Sequence, residues 1–166
     1  MLNIGLRTIV PTLLTAFTLF SCTSSKKTTV SVNREELKGT WQLDNITYEG
    51  LPQGQKVKLT LLDEGTEACL KGSTWVLPNN GNGSYTINST EAGCSPGQRN
   101  IVWSYRVENG QPIFQYKKLP GGVKAEDVLE GYKFTIVDAA AESLNLKSNV
   151  KFEGNTISIN YQFSKK

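Results

Sequence analysis

Asn155-Thr156-Ile157-Ser158-Ile159-Asn160-Tyr161-Gln162-Phe163-Ser164 alternates large apolar and polar residues without a break. A β-strand turns successive side chains to opposite faces, so Ile157, Ile159, Tyr161 and Phe163 share a buried face while Ser158, Asn160, Gln162 and Ser164 share a wet one. Glu153-Gly154-Asn155 supplies the turn before it. The same period recurs upstream, where Ile101, Trp103, Tyr105 and Val107 oppose Val102, Ser104, Arg106 and Glu108. Asn109-Gly110 then favours the positive φ angles of a tight hairpin, and Ile113 to Leu119 returns with Phe114 and Tyr116 on one face.

Working outward, Asn33 caps a brief helical turn over Arg34 to Leu37, and Gly39-Thr40-Trp41 opens a strand running to Tyr48. Lys56 to Leu62 alternates as Val57, Leu59 and Leu61 and reads as a second strand. Leu70 to Leu77 and Ser84 to Ile87 flank the turn-rich Pro78 to Gly83. Leu119-Pro120-Gly121-Gly122 breaks the pattern before a charged loop at 123–130; Tyr132, Phe134 and Ile136, then Leu144 and Leu146, mark two more strands. The result is an all-β chain with eight or nine short strands in antiparallel up-and-down order. No helical period separates them, which argues against a parallel sheet. Such strands either close into a barrel, abolishing their edges, or flatten into a sandwich, and the period fits both.

The chain of 166 residues is sized for one core and carries a scattered net charge of +3, which gives no footprint for nucleic acid. It contains no histidine. That excludes a Ser-His-Asp triad, a Cys-His dyad and a His-ligated zinc site. The remaining catalytic candidates are carboxylate clusters, Asp63-Glu64 with Glu67 and Glu126-Asp127 with Glu130, which fall in turns where acidic residues are ordinarily just solvated. No residues assemble into a catalytic constellation, so no enzyme, metal or cofactor is expected. Nothing in the sequence sets an oligomeric state.

The amino terminus carries an address. Arg7 is the only charge before Lys26, and Thr8 to Phe20 is mostly apolar but too short to span a bilayer. Leu19-Phe20-Ser21-Cys22 resembles a bacterial lipobox, which implies a signal peptide over 1–21, cleavage before Cys22 and a diacylglyceryl (palmitate-bearing) anchor on that thiol; an ordinary signal peptide with an incidental cysteine is the simpler alternative. Residues 22–32 then read as a polar, flexible tether, and the domain as 33–166. With no acidic cluster after Cys22, a periplasm-facing outer-membrane position is expected. Cys69 and Cys94 remain as an even pair in an oxidising compartment, which favours a disulfide over two buried thiols.

A lipoprotein signal, a short helical turn, Leu37-Lys38-Gly39-Thr40-Trp41-Gln42-Leu43 and eight or so meandering strands resemble the lipocalin-like lipoproteins of Bacteroidetes, over roughly residues 35–164. The resemblance implies that Gly39 and Trp41 form the plug of a barrel's closed end. Lipocalins often stack a late arginine on that Trp; here no arginine follows Arg106, leaving Lys165 or Lys166 to take the place. It also implies binding of a small hydrophobic molecule, with Trp103, Tyr105, Phe114, Tyr116, Tyr132, Phe134, Tyr161 and Phe163 as candidate lining. The same aromatics would equally fill an eight-stranded barrel as plain core. A non-catalytic module docking a protein or glycan, through an exposed Trp75 strand and the Asn79–Gly83 hairpin, is the alternative function.

Overall fold

The structure, a computed structural model, describes residues 31–51 and 58–166. The expected signal peptide, Cys22 and most of the expected tether lie outside the described residues. Asn33 starts the domain with a reciprocal cap: its side chain accepts from the Glu35 N–H at 2.8 Å, and its own N–H donates to the Glu36 carboxylate at 2.9 Å. One helical turn follows, α1 (Arg34–Leu37), and Gly39 at φ 133° swings the chain into β1 (Gly39–Glu49). The remaining elements are α2 (Glu67–Leu70), β2 (Thr74–Leu77), β3 (Asn82–Ile87), β4 (Gly97–Glu108), β5 (Gln111–Lys118), β6 (Tyr132–Ala139), β7 (Ser143–Phe152) and β8 (Asn155–Lys165).

Each strand pairs antiparallel with the next, and β8 pairs back onto β1 from Trp41↔Lys165 to Glu49↔Ser158. The sheet is a closed eight-stranded up-and-down barrel, consistent with a lipocalin-like fold in general. Closure, rather than the flattened sandwich, gives every strand a partner on each side, although the β6–β7 pairing covers only part of those strands.

The expected strand over Lys56–Leu62 is absent where it can be seen. Residues 58–60 have no regular structure, and Leu61 makes a single bridge to Gly65. Leu62 and Asp63 sit in the left-handed region, at φ 51° and 53°. The leucine alternation there reflects a strap with one side packed on the core, not a strand. Leu70 likewise ends α2, so β2 begins only at Thr74.

The two ends of the barrel differ. At one end lie α1, the carboxy terminus and the short links 78–81, 109–110 and 140–142. At the other lie the long connections 50–73, 88–96 and 119–131. Between them, the period-two faces read from β4, β5, β6 and β8 point into one core, except that Val107, expected on the buried face of β4, is exposed near the end of that strand, where the alternation outruns the core. Trp75, expected on an outer face, is buried there and stacks on Tyr85 with ring centroids 4.4 Å apart. The docking reading therefore loses its aromatic.

Candidate functional site

The short-linked end is sealed by Trp41. Its ring is fully buried, its indole N–H donates to the Leu37 carbonyl at 2.9 Å, and Lys165 Nζ lies 5.0 Å from the ring centre. A Cβ at Gly39 would lie 2.9 Å from Lys165 Cε, so the missing side chain is what lets the lysine reach the indole. Lys165 thus stacks where the resemblance implies an arginine.

The aromatics proposed as lining divide sharply. Trp103 is buried under the Arg34 guanidinium, 4.4 Å above the ring, and donates its N–H to the Pro78 carbonyl. Tyr105 donates to the Val32 carbonyl at 2.6 Å, tying the incoming chain to β4. Phe114, Tyr116 and Phe163 interlock with Trp75, Tyr85 and Phe134 at centroid separations of 5.4–6.1 Å. These five fill the barrel's lower and middle levels with rings, leaving no continuous lumen between them.

Tyr132, Phe134 and Tyr161 are placed differently. They line a recess of about 360 Å³ at the long-linked end, together with Leu59–Leu62, Ser148, Val150 and Ile159. The recess exists because the wall is incomplete there. The β6–β7 ladder runs from Ala139↔Leu144 only to Thr135↔Lys147. Beyond it, Tyr132–Phe134 pair solely with β5, while Ser148–Phe152 pair solely with β8. Two strand edges thus face each other across a seam, and the strap carrying Leu59–Leu62 packs beside it.

Glu64 holds the strap in place. Its side chain is 6% exposed and accepts from Tyr85 Oη at 2.6 Å, Lys118 Nζ at 2.8 Å and Arg99 Nη2 at 2.9 Å. Lys118 also donates to the Leu62 carbonyl, and Tyr132 donates its hydroxyl to Asp63. Burial pushes the Glu64 carboxyl up, but the hydrogen bonds from Lys118, Tyr85 and Arg99 outweigh it and hold its pKa below the usual value. Burial, reinforced by the adjacent carboxylates, keeps the Tyr85 and Tyr132 hydroxyls protonated far above neutrality. The Cys69–Cys94 disulfide joins α2 to the β3–β4 connection and so closes the same end.

Arg99, Lys118 and the three strap leucines were not foreseen as site residues, and Glu64 was weighed only as part of a carboxylate cluster for catalysis. The only signal was Asp63-Glu64-Gly65 set directly after Leu59-Thr60-Leu61-Leu62, an acidic turn on an apolar strap. Neither a protein-family model nor a curated protein matches this sequence, so the recess has to be interpreted from its own chemistry.

Proposed function

We propose that this chain is an envelope-anchored lipocalin-like lipoprotein, of the kind found in Bacteroidetes, that binds or carries a small, largely hydrophobic molecule without catalysing a reaction on it. The recess beside the β6–β7 seam carries the reading. Its volume of about 360 Å³ falls within the range of small-molecule pockets, and its wall is mainly leucine, valine, isoleucine and aromatic rings, with a few hydroxyls and the two lysines Lys133 and Lys151. It opens at the end opposite Trp41. The lipobox-like Leu19-Phe20-Ser21-Cys22 and the polar tether after it support anchoring on the periplasmic side of the outer membrane. The acidic pairs that sequence reasoning set aside as catalytic candidates now include Glu64, whose three cationic or hydroxyl partners suit it to holding the strap.

The test is native mass spectrometry of the Cys22→Ser chain recovered from a periplasm, beside a variant with Ser148→Trp placed in the recess. An adduct that leaves on denaturation and is missing from the Ser148→Trp protein supports binding in this recess. An adduct carried equally by both proteins refutes that location. Palmitate labelling of the wild-type chain but not of Cys22→Ser tests the anchor, and equal labelling rejects it.

A further inference from the structure

Tyr116 is 1% exposed, and its hydroxyl has no hydrogen-bond partner among the described residues. The neighbouring interior tyrosines do have partners: Tyr85 on Glu64, Tyr132 on Asp63 and Tyr161 with Ser148. A buried hydroxyl without a partner forfeits its hydration with nothing in return, whereas phenylalanine would fill nearly the same volume without that penalty. Such an orphan in a packed core needs an explanation.

Its position suggests one. The Tyr116 ring stacks on Tyr132 at 4.8 Å and lies nearly parallel to Phe134 at 6.0 Å. Both of those rings line the recess, so Tyr116 stands one ring behind its wall. Tyr132 is half-buried, belongs to the strand edge facing the seam, and is held at its tip by Asp63. Turning it aside would extend the recess to the Tyr116 hydroxyl.

The surrounding groups bear on what that hydroxyl would meet. Arg99 and Lys118 are both engaged by Glu64 and Lys133 pairs with Glu108, whereas Lys151, which lines the recess with Lys133, is held only by the neutral Thr156 hydroxyl and keeps its charge. Burial also keeps the Tyr116 phenol protonated, hence a donor.

Building on the binding function proposed above, we infer that Tyr116 is a specificity-determining residue: behind the Tyr132 ring, its hydroxyl donates a hydrogen bond to a carbonyl or ether oxygen of an otherwise apolar ligand.

Two probes of similar shape test this on the disulfide-bonded Cys22→Ser chain and on the same chain carrying Tyr116→Phe. They are 2-acetylnaphthalene, with a carbonyl acceptor, and 2-ethylnaphthalene, with none. Tyr116→Phe is expected to weaken 2-acetylnaphthalene about tenfold, the size of one well-placed hydrogen bond to an otherwise unpaired group. It should leave 2-ethylnaphthalene within about twofold, by the same reasoning. Tyr116→Phe should also melt higher than its parent when no probe is present. If 2-ethylnaphthalene binds but the substitution weakens both probes equally or neither, the role of Tyr116 is overturned while the recess stands. A lower melting temperature for Tyr116→Phe would mean the hydroxyl is already satisfied by internal water, which also overturns the inference. If no probe binds wild-type protein, both the binding function and this refinement fall.

Discussion

Replacing Glu64 with glutamine isolates the interaction that pins the strap. The substitution keeps the size of the side chain but removes its charge and turns one acceptor oxygen into an NH₂ group. That group faces donors on every side, since Tyr85, Arg99 and Lys118 all donate to the carboxylate at 2.6–2.9 Å. Removing one partner from a fully buried ion pair costs about 3–5 kcal/mol. Arg99 and Lys118 keep a quarter of their side-chain surface exposed and regain water when released, so the expected loss falls to about 2–3 kcal/mol. Urea unfolding of both proteins, followed by tryptophan fluorescence with the disulfide intact, measures it. The pH dependence provides the sharper check. The Glu64 pKa is depressed in the folded state, so its stabilisation is present in full above the unfolded carboxyl value of about 4.3 and is lost as pH falls through the folded value. The difference between wild type and Glu64→Gln should therefore be greatest near neutrality and shrink in acid, where the protonated carboxyl resembles the amide. A difference below about 0.5 kcal/mol, the noise of a surface substitution, or one that does not change with pH, would refute the pinned strap.

Three further outcomes follow from the same structure. Replacing both Cys69 and Cys94 with serine opens a loop of 25 residues and should cost about 3.5 kcal/mol on the chain-entropy model, seen as a lower urea midpoint with fast amide exchange across α2; an unchanged midpoint would mean the end is held without it. Trp41→Ala should cost about 3–5 kcal/mol as an emptied buried ring site, while Lys165→Gln, which removes only the ammonium over that ring, should cost about 0.5–1 kcal/mol; similar losses for the two would contradict a plug held chiefly by packing. Gly83→Ala would drive a Cβ into the Val76 carbonyl oxygen and against Trp103, so it should separate β2 from β3 and lower the melting temperature clearly, whereas Gly110→Ala, with open space around its Cβ site but φ 76°, should lower it less.

The strands were legible because each has one buried face, and burial on one face imposes period two on the residues. Ile157 to Phe163 and Ile101 to Tyr105 show this directly, and the Asn109-Gly110 turn fixes how β5 follows β4. Closure into a barrel, which the structure bears out, was implied by the lipocalin-like resemblance and not by the period, because it depends on β8 meeting β1 across the whole length of the chain, a pairing that no local pattern encodes. The strap misled for a related reason. Leu59 and Leu61 alternate because one side of an irregular segment rests on the core, and alternation does not distinguish that from a strand. The candidate lining was only partly legible. Tyr132 looks like Tyr116 in sequence, and what makes it wall rather than filling is that β7 does not pair alongside it.

That last distinction decides where this barrel has room. Its interior is closely filled: Trp75, Tyr85, Tyr116, Phe114, Phe134 and Phe163 form one cluster of neighbouring rings, as large side chains do in an eight-stranded barrel. Space therefore arises where the sheet, rather than the core, is interrupted. Beside the interruption, β6 carries a bulge between Ile136 and Asp138, and bulges bend the strand that bears them. The ladder ends at Thr135↔Lys147, the pair next to Ile136↔Leu146, after which β6 stays with β5 and β7 with β8. A recess made this way is bounded by backbone on two sides and by a strap pinned through one carboxylate on a third. Its size then depends less on the volume of any core residue than on how far apart the two strands are held and how firmly Glu64 keeps the strap down.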